Sequence, residues 1–148
     1  MENPRTSIKL RWFDESILLE SDRITLTEAF LESIGITSPV ATDIFEVLLI
    51  SAAKDTPLKT SEIRAAVISL RAQRKIKSIE KGLTDRNIQI WLKYFSDIGL
   101  IEQHFGKYRF SIRNNPSESM KKTKQIIEES YKMSVEILKK AEQQYKIK

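Results

Sequence analysis

Cysteine is absent from this chain of 148 residues, and His104 is its single histidine. Without cysteine the chain forms no disulfide, has no thiolate to bind zinc and has no cysteine nucleophile. One imidazole cannot build a multi-histidine metal centre. We therefore expect His104 to be a surface residue rather than a catalyst.

Glycine is also scarce, because the chain has only four glycines and they are not clustered. A phosphate-cradling loop needs such a cluster, so this class of nucleotide site is excluded. Carboxylates such as Asp14, Glu15 and Glu20 occur without a partnered base or a metal-binding pattern. We therefore predict no catalytic residue, no metal and no cofactor.

Long hydrophobic runs are missing as well. No run approaches the roughly 20 apolar residues of a membrane helix, and the first residues, MENPRTSIK, lack the apolar core of a signal peptide. Hydrophobic residues make up 41% of the chain and charged residues 30%. This composition predicts a soluble, folded protein built as one compact domain with an appendage, and the missing membrane and signal segments predict a cytoplasmic location.

The net charge of +5 is unevenly distributed. Residues 1–59 contain 6 basic and 10 acidic residues, residues 60–115 contain 11 and 5, and residues 116–148 contain 8 and 5. The three net charges are therefore −4, +6 and +3. A basic segment attracts nucleic acid because its cations neutralise phosphates and release counterions. The asymmetry favours a nucleic-acid partner without distinguishing DNA from RNA.

A capped amphipathic helix is predicted over residues 84–98. Thr84 suits an N-cap, Asp85 places negative charge beside the helix N-terminus, and Gly99 suits a left-handed C-cap. Apolar positions recur at helical spacing on one face: Ile88, Trp91, Leu92, Phe95 and Ile98. The remaining face is polar and basic apart from Ile90, and it carries Arg86, Asn87, Gln89, Ile90 and Lys93. Arginine and glutamine can contact base edges and lysine suits phosphate, so this face predicts binding in a DNA major groove.

Two short β-like runs follow this helix. In the second run the apolar residues Tyr108, Phe110 and Ile112 alternate with polar residues, which are Arg109, Ser111 and Arg113. Alternation of this kind predicts a half-buried strand with a basic open face. The pair Gly106 and Lys107 separates the two runs and predicts a hairpin with a positively charged tip.

The order of capped helix, Gly-Leu-Ile junction and basic hairpin resembles the second half of a winged helix-turn-helix domain. Such domains occur in many bacterial and archaeal transcription regulators. The resemblance implies a mainly α fold with a small β-hairpin, in which the recognition helix reads DNA and the hairpin forms the wing. The alternative is a helix and a hairpin that merely pack together, as in a winged helix that binds protein.

Several start signals precede this region. Thr25 or Thr27 is expected to cap a short helix that ends at Gly35, and Ser38 with Pro39 predicts the start of a central, strongly apolar helix. Thr60 is expected to cap the first helix of the helix-turn-helix. The alternation over residues 8–12 suggests a short strand, although a helix that begins near residue 12 fits equally well.

The segment over residues 71–83, RAQRKIKSIEKGL, holds the densest group of cations in the chain: Arg71, Arg74, Lys75, Lys77 and Lys81. It either lengthens the preceding helix to Gly82 or forms a mobile basic loop. Because Glu80 is the one acidic residue within it, we predict contact with phosphates rather than a solvated face with internal pairing. Together with Lys107 and Arg109, these residues complete the predicted DNA-binding set.

Residues 116–148 are predicted to form one helix of about 30 residues, roughly 45 Å long, with Ser117 as its N-cap. Two interleaved seven-residue series build a heptad-like seam: Met120, Ile127, Ser134 and Ala141, with Tyr131, Leu138 and Tyr145. The helix is longer than the domain's own core needs, so we predict that it forms a homodimer. A helix that folds back over the N-terminal segment is the alternative.

These predictions combine into a winged-helix DNA-binding domain over residues 8–115 and a dimerisation helix over residues 116–148. The expected function is sequence-specific binding of double-stranded DNA by a dimeric transcriptional regulator. One alternative is a plasmid-partition or chromatin-organising DNA-binding protein. The other is a protein-interaction adaptor within a larger assembly.

Overall fold

The computed structural model describes residues 8–148. This part of the chain contains five α-helices and one antiparallel hairpin: α1 Arg23–Ser33, α2 Pro39–Ala53, α3 Thr60–Gln73, α4 Asp85–Asp97, β1 Ile101–His104, β2 Lys107–Phe110 and α5 Pro116–Gln144. A short 3₁₀ helix, Glu15–Leu19, precedes α1. The fold is therefore mainly helical with a small two-stranded sheet and a long C-terminal helix. None of these helices is long and apolar enough to cross a membrane.

Helix α2 lies at the centre of the core, as its near-continuous apolar sequence predicts. Phe45 on α2 packs against three other rings, with centroid distances of 5.2 Å to Phe30, 5.3 Å to Phe95 and 5.5 Å to Phe110. These rings belong to α1, α4 and β2, so one side chain contacts three further elements. Large buried aromatic side chains contribute strongly to stability through their buried area.

The helix starts agree only in part with the sequence predictions. Ser38 caps α2 as predicted, and its hydroxyl accepts a hydrogen bond from the Ala41 N–H. Helix α1 is instead capped by Asp22, because the Asp22 carboxylate accepts bonds from the hydroxyl and the N–H of Thr25. Both bonds lower the pKa of the Asp22 carboxyl, and the bond from the Thr25 hydroxyl has the larger effect. Thr27 lies buried one turn later and donates to the Arg23 carbonyl.

The N-caps of two further helices lie one or two residues before their predicted positions. Helix α3 begins at Thr60, but Lys59 is its N-cap, and the Lys59 N–H donates to the Glu62 carboxylate at 2.9 Å. Asn115, rather than Ser117, caps α5 and accepts a bond from the Glu118 N–H. Asn115 thus accepts a first-turn N–H of α5, whereas at α3 the Glu62 carboxylate accepts the N–H of the cap residue itself; neither change alters a helix assignment.

The chain before α1 forms neither the predicted strand nor an α-helix. The N–H of Arg11 donates to the Ser33 carbonyl at 2.9 Å, so the segment runs along the end of α1 without pairing in the sheet. The 3₁₀ turn follows. Leu18 and Trp12 are 81% and 95% exposed, whereas Ile8 packs against the core.

Helix α5 packs against the domain over its first three turns. Met120 and Ile126 contact the core, Thr123 is fully buried, and a Cβ at Gly99 would lie 2.7 Å from the Lys122 Cβ. Further along, the helix is exposed. Because the apolar N-terminal segment also remains exposed, α5 does not fold back over it, which corrects that alternative.

We expect Phe45→Ala to lower the free energy of unfolding by about 3–5 kcal/mol, because loss of a large core aromatic leaves a cavity. Ile90→Ala is the matched control, since Ile90 is 50% exposed on α4; it should change the free energy by less than about 0.5 kcal/mol. Urea denaturation measures both variants. Equal effects would contradict the assigned core.

Candidate nucleic-acid interface

Helix α4 forms where the sequence predicts it. The Thr84 hydroxyl accepts a hydrogen bond from the Asn87 N–H at 3.1 Å, and Gly99 ends the helix with φ +84°. Four of the five predicted apolar positions are fully buried: Ile88, Leu92, Phe95 and Ile98. The fifth, Trp91, is only half-buried and packs its ring at 5.9 Å from Tyr94. Burial raises the pKa of the Tyr94 phenol, because desolvation disfavours its charged form.

The opposite face of α4 is exposed, and it carries Arg86, Gln89, Ile90 and Lys93. Lys93 is tied to the helix itself, because its Nζ lies 2.8 Å from the Asp97 carboxylate one turn later. Arg86 forms no ion pair with any residue in 8–148. The face thus presents one unpaired guanidinium, one amide and one aliphatic side chain on adjacent turns.

Asn87 has a different position from the other predicted contacts. It is half-buried, and its Nδ2 donates to the Gly82 carbonyl at 2.7 Å. This bond ties the start of α4 to the turn in front of it. Asn87 therefore orients the exposed face and does not belong to it.

The segment between α3 and α4 is a series of turns. Helix α3 ends at Gln73, so of the two alternatives that the sequence left open, a loop is found and not an extension of the helix to Gly82. The side chains of Lys75, Lys77 and Lys81 are exposed. None of the three forms an ion pair with a residue that the structure describes. They are therefore available to an external anion.

Arg71 does not lie on this surface, contrary to the sequence prediction. It is 5% exposed. Its Nε donates to Asp43 at 2.8 Å, and its Nη1 donates to the carbonyls of Ile79 and Lys81 at 3.2 and 2.7 Å. A guanidinium with these partners cannot contact a phosphate. Instead, it fastens the basic loop to α2.

Arg74 and Arg64 reinforce the same attachment. Arg74, another predicted phosphate contact, is half-buried and pairs with the buried Glu46 on α2, so its charge is partly neutralised within the fold. Arg64 was not predicted. Its Nε donates to the Leu83 carbonyl at 3.0 Å, and it lies 3.5 Å from Glu80. Three arginines thus fix the loop in front of α4 and leave its lysines exposed.

The hairpin follows α4 directly, and its β2 strand pairs with one residue outside it. Leu58, between α2 and α3, exchanges two backbone hydrogen bonds with Tyr108, of 2.7 and 3.3 Å. The strand ends at Phe110, so Ile112 does not extend it as predicted. The Ile112 N–H donates instead to the Ser119 hydroxyl of α5. The hairpin is therefore attached at both sides of its base.

The hairpin and the turn after it present less positive charge than predicted, because two of their arginines are paired with carboxylates. Arg109 pairs across the strands with Glu102 at 2.8 Å, and Arg113 makes two bonds to Glu118. These two cations are neutralised by their partners. Lys107, exposed and without an ion pair within residues 8–148, is the remaining cation near the tip.

The tip itself differs by one residue from the prediction. The turn residues are Phe105 and Gly106, and Lys107 is the first residue of β2, opposite His104. Phe105 is 90% exposed. The sequence reasoning missed this side chain, because an apolar residue inside a β-like run is expected to be buried. The adjacent glycine was the available signal for a turn at this position.

Comparisons with protein-family models, curated proteins and solved structures find no match to this chain. The side chains and their arrangement therefore carry the functional inference. Near α4, the exposed cations that form no ion pair with any residue in 8–148 are Lys75, Lys77, Lys81, Arg86 and Lys107. They belong to the loop before the helix, to the helix and to the hairpin after it.

We expect Arg71→Ala to lower the free energy of unfolding by roughly 3–5 kcal/mol, because Asp43 and two carbonyls lose their buried partner. Lys77→Ala is the control in the same segment and should change it by less than about 0.5 kcal/mol, since Lys77 is exposed. Urea denaturation compares the two. A small effect of Arg71→Ala would show that the guanidinium is not an anchor.

Proposed function

We propose that the protein is a winged helix-turn-helix protein that binds double-stranded DNA sequence-specifically and acts as a dimeric transcriptional regulator. The element order supports this proposal. Helix α2, the bridging residue Leu58, helices α3 and α4, and then the hairpin follow one another as the helices and strands of a winged helix do. In this interpretation α4 is the recognition helix and the hairpin is the wing.

The observation that carries the proposal is the exposed face of α4 with unpaired cations on both sides of it. Arg86 and Gln89 lie on the first turns of the helix, where recognition helices of this class contact bases. Arginine can bind guanine O6 and N7 together, and glutamine can bind adenine in the same way. Ile90 offers an apolar contact for a thymine methyl group.

Phosphate contacts are assigned to Lys75, Lys77, Lys81 and Lys107. These lysines are exposed, and the arginine attachments of the loop fix the backbone that carries the first three. A lysine suits phosphate as a mobile point charge, whereas base reading needs a planar or bidentate group. In this proposal the lysines bind phosphates, whereas Arg86 and Gln89 contact the bases.

Dimerisation is assigned to the exposed part of α5. The seam residues beyond the packed turns are Ile127, Tyr131, Ser134, Leu138, Ala141 and Tyr145. Tyr131 and Leu138 are 69% and 64% exposed, so they are available to a second copy. Met120 leaves the seam because it packs against its own core. A second apolar stripe, of Met133 and Ile137, lies beside the seam and would widen the contact.

A protein-interaction module is the second candidate. The exposed apolar side chains of Trp12, Leu18 and Leu19 favour it, because a group of exposed apolar residues often marks a protein contact. Retention on heparin and gel shifts with mixed genomic fragments separate the candidates. Selection of discrete fragments supports a regulator, uniform coating supports a partition or chromatin protein, and no retention supports an adaptor.

Base reading and phosphate anchoring should respond differently to substitution. Arg86→Ala and Gln89→Ala should each lose about 1–3 kcal/mol on the best duplex and little on a scrambled one. Lys77→Ala and Lys107→Ala should weaken both duplexes alike and reduce the slope of log affinity against log salt by about 0.9. Salt titration of each variant on both duplexes makes the comparison. If the Arg86 and Gln89 variants weaken both duplexes equally, α4 is not the reader.

Dimerisation is tested by a charge placed in the seam. Leu138→Lys should give a monomer at concentrations where the unaltered protein is a dimer, because a buried lysine opposes the helix contact. Gln143→Lys adds the same charge to the opposite side of α5 and should leave the dimer intact. Light scattering gives the mass of each. A monomeric unaltered protein would remove the dimer proposal.

A further inference from the structure

The hairpin tip combines an unfavourable backbone conformation with an exposed aromatic ring. Phe105 has φ +52° and Gly106 has φ +77°, so both turn residues are left-handed. Two-residue hairpin turns of this kind favour Asn-Gly or Asp-Gly, and a bulky residue with positive φ is uncommon. Phenylalanine is therefore not explained by the turn.

Burial does not explain Phe105 either. Its side chain is 90% exposed, and its ring contact within residues 8–148 is an edge-to-face one with His104, at a centroid distance of 4.4 Å. A Cβ added at Gly106 would have nothing within 4 Å. The tip thus stands clear of the domain, with its ring steadied by the preceding imidazole.

The base of the hairpin is held firmly. Leu58 bonds to Tyr108 on the outer side of β2, and the Ser111 N–H donates to the Leu100 carbonyl at 2.9 Å. The Phe110 N–H donates to the Asn114 side chain. These bonds fix the base of the hairpin, so the Phe105 ring is presented to a ligand from a fixed support.

We propose that Phe105 is a wedge that inserts between two base pairs from the minor groove and kinks the DNA. This proposal rests on the proposed DNA-binding function. Apolar side chains that enter the minor groove partly unstack a base step and bend the duplex by about 20–90°. Lys107 follows the ring directly, where it binds a phosphate beside the opened step. Flexible pyrimidine–purine steps are the preferred position because they unstack easily.

The local charge favours DNA over a protein pocket as the partner of this ring. The residues 60–115 that contain the tip carry a net charge of +6, and the nearest unpaired charged group to the ring in sequence is Lys107. Residues held in sparsely populated backbone conformations cluster at functional sites. The wedge therefore accounts for the strain, the exposure and the adjacent cation together.

DNA bending is measured by the rate at which ligase joins the ends of a linear duplex into a circle. Ligase closes mixed-sequence duplexes of about 120 base pairs slowly, because the persistence length of DNA is about 150 base pairs. Saturating full-length protein should accelerate closure, and Phe105→Tyr should retain the acceleration. Phe105→Asn should abolish it and weaken binding about tenfold, with an unchanged salt slope, because no charge is removed. Thermal melting should show Phe105→Asn to be at least as stable as the unaltered protein, since asparagine suits the turn.

Lys107→Gln is the matched control at the neighbouring position. It should lower the salt slope by about 0.9 and retain the bending at saturation. The wedge is overturned if the unaltered protein binds without accelerating closure, or if Phe105→Asn accelerates closure equally; DNA binding stands in both cases. An unaltered protein that binds no duplex overturns the proposed function, and the wedge with it.

Discussion

A buried guanidinium determines how the cations in front of α4 are presented. Arg71 bonds to Asp43 on α2 and to two carbonyls of the loop that follows α3, so three parts of the chain meet at one side chain. Buried charges need such complete pairing, because desolvation makes an unpaired one very costly. The pairing directs the loop backbone towards α4, and the lysines of the loop remain exposed. One basic segment thus combines an internal anchor, Arg71, with exposed lysines, to which we assign phosphate binding as a proposal.

The same division recurs at the hairpin. Arg109 and Arg113 pair with carboxylates and stabilise the strand and the turn after it, whereas Lys107 forms no ion pair with a described residue. Arginine is used for fixed, multidentate contacts and lysine for exposed charge, as the chemistry of the two groups predicts. The exposed face of α4, which we propose contacts the bases, is bordered by lysines of the loop and the hairpin. Arginine contacts stabilise these two segments. Phe105 adds a highly exposed aromatic group at the hairpin tip.

Local signals account for the parts of the fold that the sequence predicted. The α4 cap, its apolar period and Gly99 all lie within one helix, and each is readable without knowledge of the rest of the chain. The role of Arg71 was not readable, because its partner Asp43 lies on another helix and no pattern connects the two. The predicted position of the hairpin turn was wrong by one residue, because Phe105 occupies a turn position with a positive φ that phenylalanine disfavours. The exposure of the N-terminal apolar residues likewise depends on long-range packing that periodicity does not report.

The most direct test of the proposal that α4 enters the major groove is methylation interference on a duplex selected from random sequence. Dimethyl sulfate methylates guanine N7, a major-groove acceptor that an arginine on a recognition helix would bind. We expect methylation of a few guanines to block binding, in two groups about one helical turn apart, because a dimer presents two copies of Arg86. Binding that tolerates N7 methylation at every guanine of the selected duplex would contradict the proposal that Arg86 and the α4 face read DNA.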